Sequence, residues 1–274
     1  MKSAFLLLSA GMIVALALFF EAGLTAQQPG AAAERWVTAW GTSQQGAGTN
    51  MLSDTTVRMI ARVTISGQAV RIRLDNTFGG APLSIGAAYI GERIQGAAVA
   101  PGSNRRITFS TSASVTVPAG GSVTSDAVRM NVLAQQDLAV SLHVSGAMVR
   151  PSQHGGAQVT SYLAADGAGD VAAEQSAAPF TRTTTAMFWL KAIDVSSSTS
   201  TGSVVAFGDS ITDGTCTTVD AHDRWEDLLA VRLALDAAGR GNVGAHKAIV
   251  NEGIGGNTIT REHLPASSGS RATC

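Results

Sequence analysis

Along most of the chain the apolar residues recur at every second position. Val57, Met59, Ala61, Val63 and Ile65 alternate with Arg58, Arg62 and Thr64, broken only by Ile60. After Ser66-Gly67, Val70, Ile72 and Leu74 alternate with Arg71, Arg73 and Asp75, and Leu138, Val140, Leu142 and Val144 repeat the pattern against Ser141 and His143. Side chains of an extended strand point to its two faces in turn, so this period predicts strands with one face in a core and the other in water. Further short strands are predicted near Ser84–Ile90, Arg106–Phe109, Ser114–Val117 and Met187–Ile193. Turn clusters such as Phe78-Gly79-Gly80-Ala81-Pro82 and Pro118-Ala119-Gly120-Gly121 divide them. Many short strands without a long helical period predict an all-β sandwich, jelly-roll-like, over residues 35–194.

The pattern changes after Asp194. Residues 195–202 are polar and of low complexity, and read as a flexible Ser/Thr linker. Val204 to Phe207 is apolar on both faces, which predicts a buried parallel strand. It stops at Gly208-Asp209-Ser210, where glycine and aspartate permit a sharp turn. Ser210 is thereby placed at a strand's carboxyl end, where open α/β folds put their ligands. After a polar loop, a helix is predicted over Arg224–Ala238, with Trp225, Leu228, Leu229 and Leu235 as its apolar stripe. Asp223 and Glu226 are the expected capping pair, and Gly239 the expected stop. Ala248–Val250 is the second strand, giving a β-α-β crossover.

That strand runs into a second glycine-rich loop, Asn251-Glu252-Gly253-Ile254-Gly255-Gly256-Asn257-Thr258. Together the Gly-Asp-Ser turn and this loop resemble the first two sequence blocks of the SGNH, or GDSL, hydrolases, over Val204 to about His263. The resemblance implies a partial flavodoxin-like α/β/α domain over residues 203–274, and a serine esterase or lipase activity. It assigns Ser210 as nucleophile, with Asp209 beside it in a supporting position, and Gly256 as a backbone N–H donor to the oxyanion hole. A serine hydroxyl also needs a base, and the base an orienting group. The family supplies these from later blocks, Gly-x-Asn-Asp and Asp-x-x-His, and neither pattern occurs after Ser210. The segment is only 72 residues long, Ser203 to Cys274, below the usual domain size of roughly 100–150. Its tail from Pro265 has no periodicity. The expectation is therefore the front part of a longer esterase, cut short near Leu264 and poorly active as it stands.

At the amino terminus, Lys2, an apolar run from Ala4 to Phe20 and small residues up to Ala26 read as a secretory signal peptide over 1–26. The alternative is an uncleaved anchor, since the run sits at the lower edge of what spans a bilayer. Export to the periplasm or medium is the expectation, with residues 27–34 a short linker and no stable membrane span after processing. Nineteen Lys and Arg against twenty Asp and Glu leave a net charge of −1, so no global field favours nucleic acid. Cys216 and Cys274 make neither a disulfide framework nor a metal site.

Rival motifs fail. Gly208 to Gly214 lacks the P-loop spacing and its lysine, and Thr258 breaks the Gly-x-Gly-x-x-Gly register of Gly253-Ile254-Gly255-Gly256. His222, His246 and His263 have no partners at zinc-ligand spacing, so no metal and no cofactor is expected. His154-Gly155-Gly156 is similar to a lipase oxyanion loop, but the fold that uses it wants Gly-x-Ser-x-Gly at the nucleophile, so His154 reads as a surface turn residue. Trp36 and Trp40 share a strand face and read as core rather than a sugar platform. Arg71 and Arg73 read as a solvated strand face.

The leading reading is an exported ester hydrolase acting on small-molecule or polysaccharide acyl esters, acetylated polysaccharide and short-chain acyl lipid being equally open. Some SGNH esterases carry an amino-terminal β-sandwich, which suggests substrate positioning or carbohydrate contact for the first domain. The alternative is a non-catalytic carbohydrate-binding β-sandwich protein with a vestigial hydrolase segment. A structural envelope protein is the third class.

Overall fold

The alternating stretches form antiparallel sheets. The computed structural model describes residues 35–258, all within one compact unit. The segment read as a signal peptide, His263, Cys274 and the tail after Leu264 lie outside the described residues. The strands are β1 (Arg35–Gly41), β2 (Gly46–Ala47), β3 (Thr55–Val63), β4 (Gly67–Asp75), β5 (Leu83–Gln95) and β6 (Ala98–Val99). Next come β7 (Arg105–Ile107), β8 (Val115–Val117), β9 (Ser122–Thr124), β10 (Val128–Val132) and β11 (Gln136–Ser145). Then follow β12 (Ser152–His154), β13 (Ser161–Leu163), β14 (Arg182–Thr184), β15 (Met187–Phe188) and β16 (Leu190–Ser197).

One sheet runs β1-β16-β4-β10, with β9 also on β4; a larger one runs β14-β13-β3-β11-β5-β6, with β7 and β8 on β5; a small one runs β15-β12-β2. Register follows the apolar period: Val57 faces Leu142, Met59 faces Val140 and Ala61 faces Leu138. Ile72 and Val195 from the first sheet share one buried cluster with Met59, Val140 and Ile90 from the second. Each such side chain contributes about 1.5–3 kcal/mol of burial, so this shared cluster is the main stabilising feature.

The polar alternates are less solvated than their period suggests. Arg58 is fully buried, because the chain around residues 170–180 covers its face of β3. Its guanidinium donates to the carbonyls of Ala97 (2.6 Å) and Glu174 (2.5 Å) and to Ser141 Oγ (2.7 Å), and lies 4.1 Å from the Phe180 ring centre. Burial lowers its pKa to about 10, so it stays charged near neutrality. Arg71 and Arg73 converge on buried Asp194, at 3.0 and 2.6 Å. Trp36 is half-exposed beneath Arg71 instead of in the core, whereas a bulge between Thr38 and Trp40 sets Trp40 opposite Ile193, partly buried against the core.

The expected Ser/Thr linker begins inside a strand. Ser196 and Ser197 pair with Trp36 and Arg35, and Ser197 Oγ accepts from the Ser200 N–H at 3.1 Å. Small hydroxyl side chains fit a ladder as readily as a linker, so composition alone misplaced this boundary.

Beyond it stand β17 (Ser203–Ala206), α1 (Ser210–Asp213), α2 (Trp225–Gly239) and β18 (Ala248–Asn251), with β17 and β18 parallel and Val204 opposite Ile249. The β-α-β crossover is present. The expected full burial of 204–207 is not: only Ala206 is buried, and Phe207 is 78% exposed. Among the described residues β17 has a partner on one edge only. Helix α2 turns Glu226, Ala230 and Ala237 inward and leaves Trp225, Leu228 and Leu235 in solvent, the reverse of the expected stripe. Its cap is Arg224, whose N–H donates to Asp227, while Asp223 accepts from the Thr218 N–H. The segment docks on the first sheet: Ser203 Oγ donates to Thr38 O (2.7 Å), and Thr64 Oγ1 accepts from the Ile249 N–H (3.0 Å).

Candidate active site

The two parallel strands end side by side, and the loops leaving them interlock. From β17 the chain turns at Gly208 and enters α1, where Asp209 caps the helix by accepting from the Ile211 N–H at 3.0 Å. Ser210 is the first residue of that single turn and is half-buried. From β18 the chain turns through Asn251, whose Oδ1 accepts from the Gly253 N–H (2.8 Å) and whose Nδ2 donates to Thr212 O (2.6 Å). A Cβ at Gly253 would stand 2.4 Å from the Asp213 nitrogen, so the loops meet only because that residue has no side chain. Gly208 O accepts from the Ile254 N–H (3.1 Å) and from Asn257 Nδ2 (3.2 Å).

These bonds bring the Ser210 turn and the Gly253–Gly256 loop together at one end of the parallel pair. Gly256 has φ +84, a left-handed conformation that favours glycine. Among the described residues no acceptor takes the N–H of Ser210 or of Gly256, and no histidine reaches Ser210 Oγ. Asp209 is spent on the cap.

The site also contains residues that local patterns missed. Asp213, three residues after Ser210 on α1, is buried. Its Oδ1 lies 2.8 Å from His154 Nε2; its Oδ2 accepts from Gln45 Nε2 (2.9 Å) and from the Gly255 N–H (3.2 Å). His154 Nδ1 donates to Ser43 O at 2.7 Å, and Ser43 Oγ donates to Glu252 Oε2 at 2.5 Å. His154 is 2% exposed on β12, so the surface-turn reading is wrong. Strand β12 carries His154 and also accepts, at Gln153 O, the N–H of Gln45, so both residues are held beside α1. Both ring nitrogens are occupied, one by a carbonyl and one by a carboxylate, which leaves none for a serine hydroxyl. The one local clue was spacing: residues three apart on a helix share a face, so Asp213 stood with Ser210.

The other histidines sit elsewhere. His246 Nε2 donates to Thr64 O at 3.0 Å. His222 is buried with Nε2 3.7 Å from Asp137 Oδ1; burial, then the charge of Arg62, lowers its pKa. Both it and Glu226 line a cavity of about 30 Å³ with Trp40, Arg62 and Asn251. Among the described residues no other residue bonds the Glu226 carboxyl, and burial raises its pKa to about 7. Among the described residues no cluster of His, Cys, Asp and Glu could hold a metal, and no helix is long and apolar enough to cross a membrane.

Residues 204–268 match the model of the GDSL-like lipase/acylhydrolase family. The match covers both loops and the helix between them, and bears out the resemblance to SGNH/GDSL hydrolases over this segment. No curated protein matches the chain.

Proposed function

We propose, from a carboxyl-terminal segment of the GDSL-like lipase/acylhydrolase type, that the protein is an exported serine hydrolase of acyl or acetyl esters. Its architecture is a jelly-roll-like sandwich joined to part of a flavodoxin-like α/β/α unit, and its ester is a small molecule or an acylated polysaccharide. Export rests on the basic, apolar and small-residue leader of residues 1–26.

Ser210 is the nucleophile. Its Oγ attacks the acyl carbonyl, the Oγ–H proton passes to a base, and the alcohol leaves; water then releases the acid from the acyl-serine. The backbone N–H groups of Ser210 and Gly256 receive the oxyanion, each donor of this kind being worth roughly 10²–10³ in rate. The observation that carries this reading is the interlocking of the two loops, which brings both residues to the carboxyl ends of adjacent parallel strands. With His154 already occupied, no described histidine serves as base, so acyl transfer is expected to be slow and to rise with added imidazole.

The test is acetyl transfer from p-nitrophenyl acetate, followed by mass spectrometry of the Ser210 peptide. The expected result is an acetyl group on Ser210, formed faster with imidazole and absent from Ser210→Ala. An unmodified Ser210, or equal p-nitrophenol release by Ser210→Ala, overturns the assignment.

A further inference from the structure

The hydrolase match begins at Val204, yet the residues gripping its serine turn come from far upstream. Asp213 meets His154 across 59 positions of sequence and Gln45 across 168. The same carboxylate accepts from the Gly255 N–H, one residue from Gly256. A single side chain on the Ser210 helix thus touches both candidate oxyanion loops and two residues of the β-rich region. Ser43 adds a second tie, through Glu252 in the turn after β18. Outside the site, the regions also meet through Thr64, Ser203 and β1 and through residues 220–224, where Asp220 accepts from Thr160 and Arg224 donates to Ala157 O.

We propose that the β-rich region is a structural half of the active site: His154 and Gln45 hold the Asp213 carboxylate, and through it set the Ser210 turn against the Gly253–Gly256 loop. Asp213, His154 and Gln45 are positioning residues, none touching the ester. Charge and geometry support the assignment. His154 is fixed from behind, its Nδ1–H on the Ser43 carbonyl, so the edge it offers Asp213 cannot rotate away. Gln45 is fixed too, its Oε1 accepting from the Gly155 N–H at 3.2 Å. A carboxylate buried among donors, all satisfied, is a rigid joint, whereas the same group facing water would hold neither loop. Because a displacement of about 1 Å at a reacting group can cost 10²-fold in rate, this joint governs acylation without contacting substrate.

The inference rests on Ser210 being the nucleophile, and the experiment separates the two. In the full chain, Asp213→Ala, His154→Ala, Gln45→Ala and Asp213→Asn are compared with the parent. Three readouts are taken: the rate and half-saturating concentration for Ser210 acetylation, amide exchange at Ile254 and Gly255, and the melting temperature. Asp213→Ala and His154→Ala are expected to lower the maximal acetylation rate roughly 10–100-fold with half-saturation unchanged, and to speed exchange at Gly255. Asp213→Asn restores most of the lost rate. Its amide nitrogen can donate to His154 Nε2, and its oxygen can still accept from Gln45 and Gly255. Asp213→Asn falling as far as Asp213→Ala, or Asp213→Ala acetylating at the parental rate, overturns the proposal. If His154→Ala does not fold, the Asp213 pair decides. If Ser210 is not acetylated in the parent, the hydrolase reading fails by itself. Exchange at Gly255 then settles the joint: faster in Gln45→Ala supports it, unchanged in Gln45→Ala and Asp213→Ala refutes it.

Discussion

The antiparallel sheets and the parallel pair solve the problem of burial differently. In β3, β4 and β11 every inward apolar residue meets another sheet, and even the outward Arg58 is covered. The β17–α2–β18 unit covers one face and leaves Val205, Phe207, Leu228 and Leu235 in water. What burial it has comes largely from its neighbour: Ile249 against Thr64, Ser203 against Thr38, and Asp213 against His154. The first region holds itself together, and the second is held in place. A β-α-β unit needs layers on both sides of its sheet, and here one of those layers is the antiparallel sheet containing β1.

Four substitutions would break or sharpen this contrast. The largest effect is expected from Ile72→Ala, which empties a fully buried position shared by both main sheets and should cost about 2–5 kcal/mol in denaturant unfolding. A loss under about 1 kcal/mol would mean that the shared core is not what stabilises the fold.

Next is Glu226, buried at the seam between the regions. Its folded pKa of about 7 lies above the ordinary 4.5, so its contribution is intact below pH 4.5 and is lost as pH rises towards 7. Glu226→Gln should therefore be more stable than the parent at pH 8, by up to about 3 kcal/mol, with the difference vanishing near pH 4. Parallel pH–stability curves for the two proteins would refute the assignment.

Third, Gly253→Ala places a methyl group against the Asp213 backbone and should cost about 1–3 kcal/mol while slowing Ser210 acetylation. Smallest is Leu235→Ala: at 67% exposure it should change stability by less than about 0.5 kcal/mol, although it deletes as many carbon atoms as a damaging core mutation. A larger loss would show that α2 is covered in solution.

How much of this the sequence disclosed depends on the range of the interaction. The period of two is local, and it delivered β3, β4, β5, β7, β8, β11 and β16 to within a few residues, but not two- and three-residue strands such as β2, β6, β12, β13 and β14. The Gly-Asp-Ser turn, the helix and the second strand were equally legible, since turn chemistry and periodicity act over a few positions. What a residue meets across the fold was not. His154, in a His-Gly-Gly run, had the composition of a loop, and its partner Asp213 lies too far along the chain for any pattern to connect them. Arg58 looked solvated for the same reason, its acceptors being carbonyls at Ala97 and Glu174. The α2 stripe failed differently: the helix was correct, but alanines, not leucines, allow its close approach to β18.

Among the described residues one edge of β17 has no strand partner, and its backbone donors and acceptors there are flanked by exposed Val204, Val205 and Phe207. Natural sheets blunt such margins with lysine, proline or a bulge, and none of these interrupts residues 203–206. Val205→Lys is expected to blunt that margin and to lower light scattering at high protein concentration.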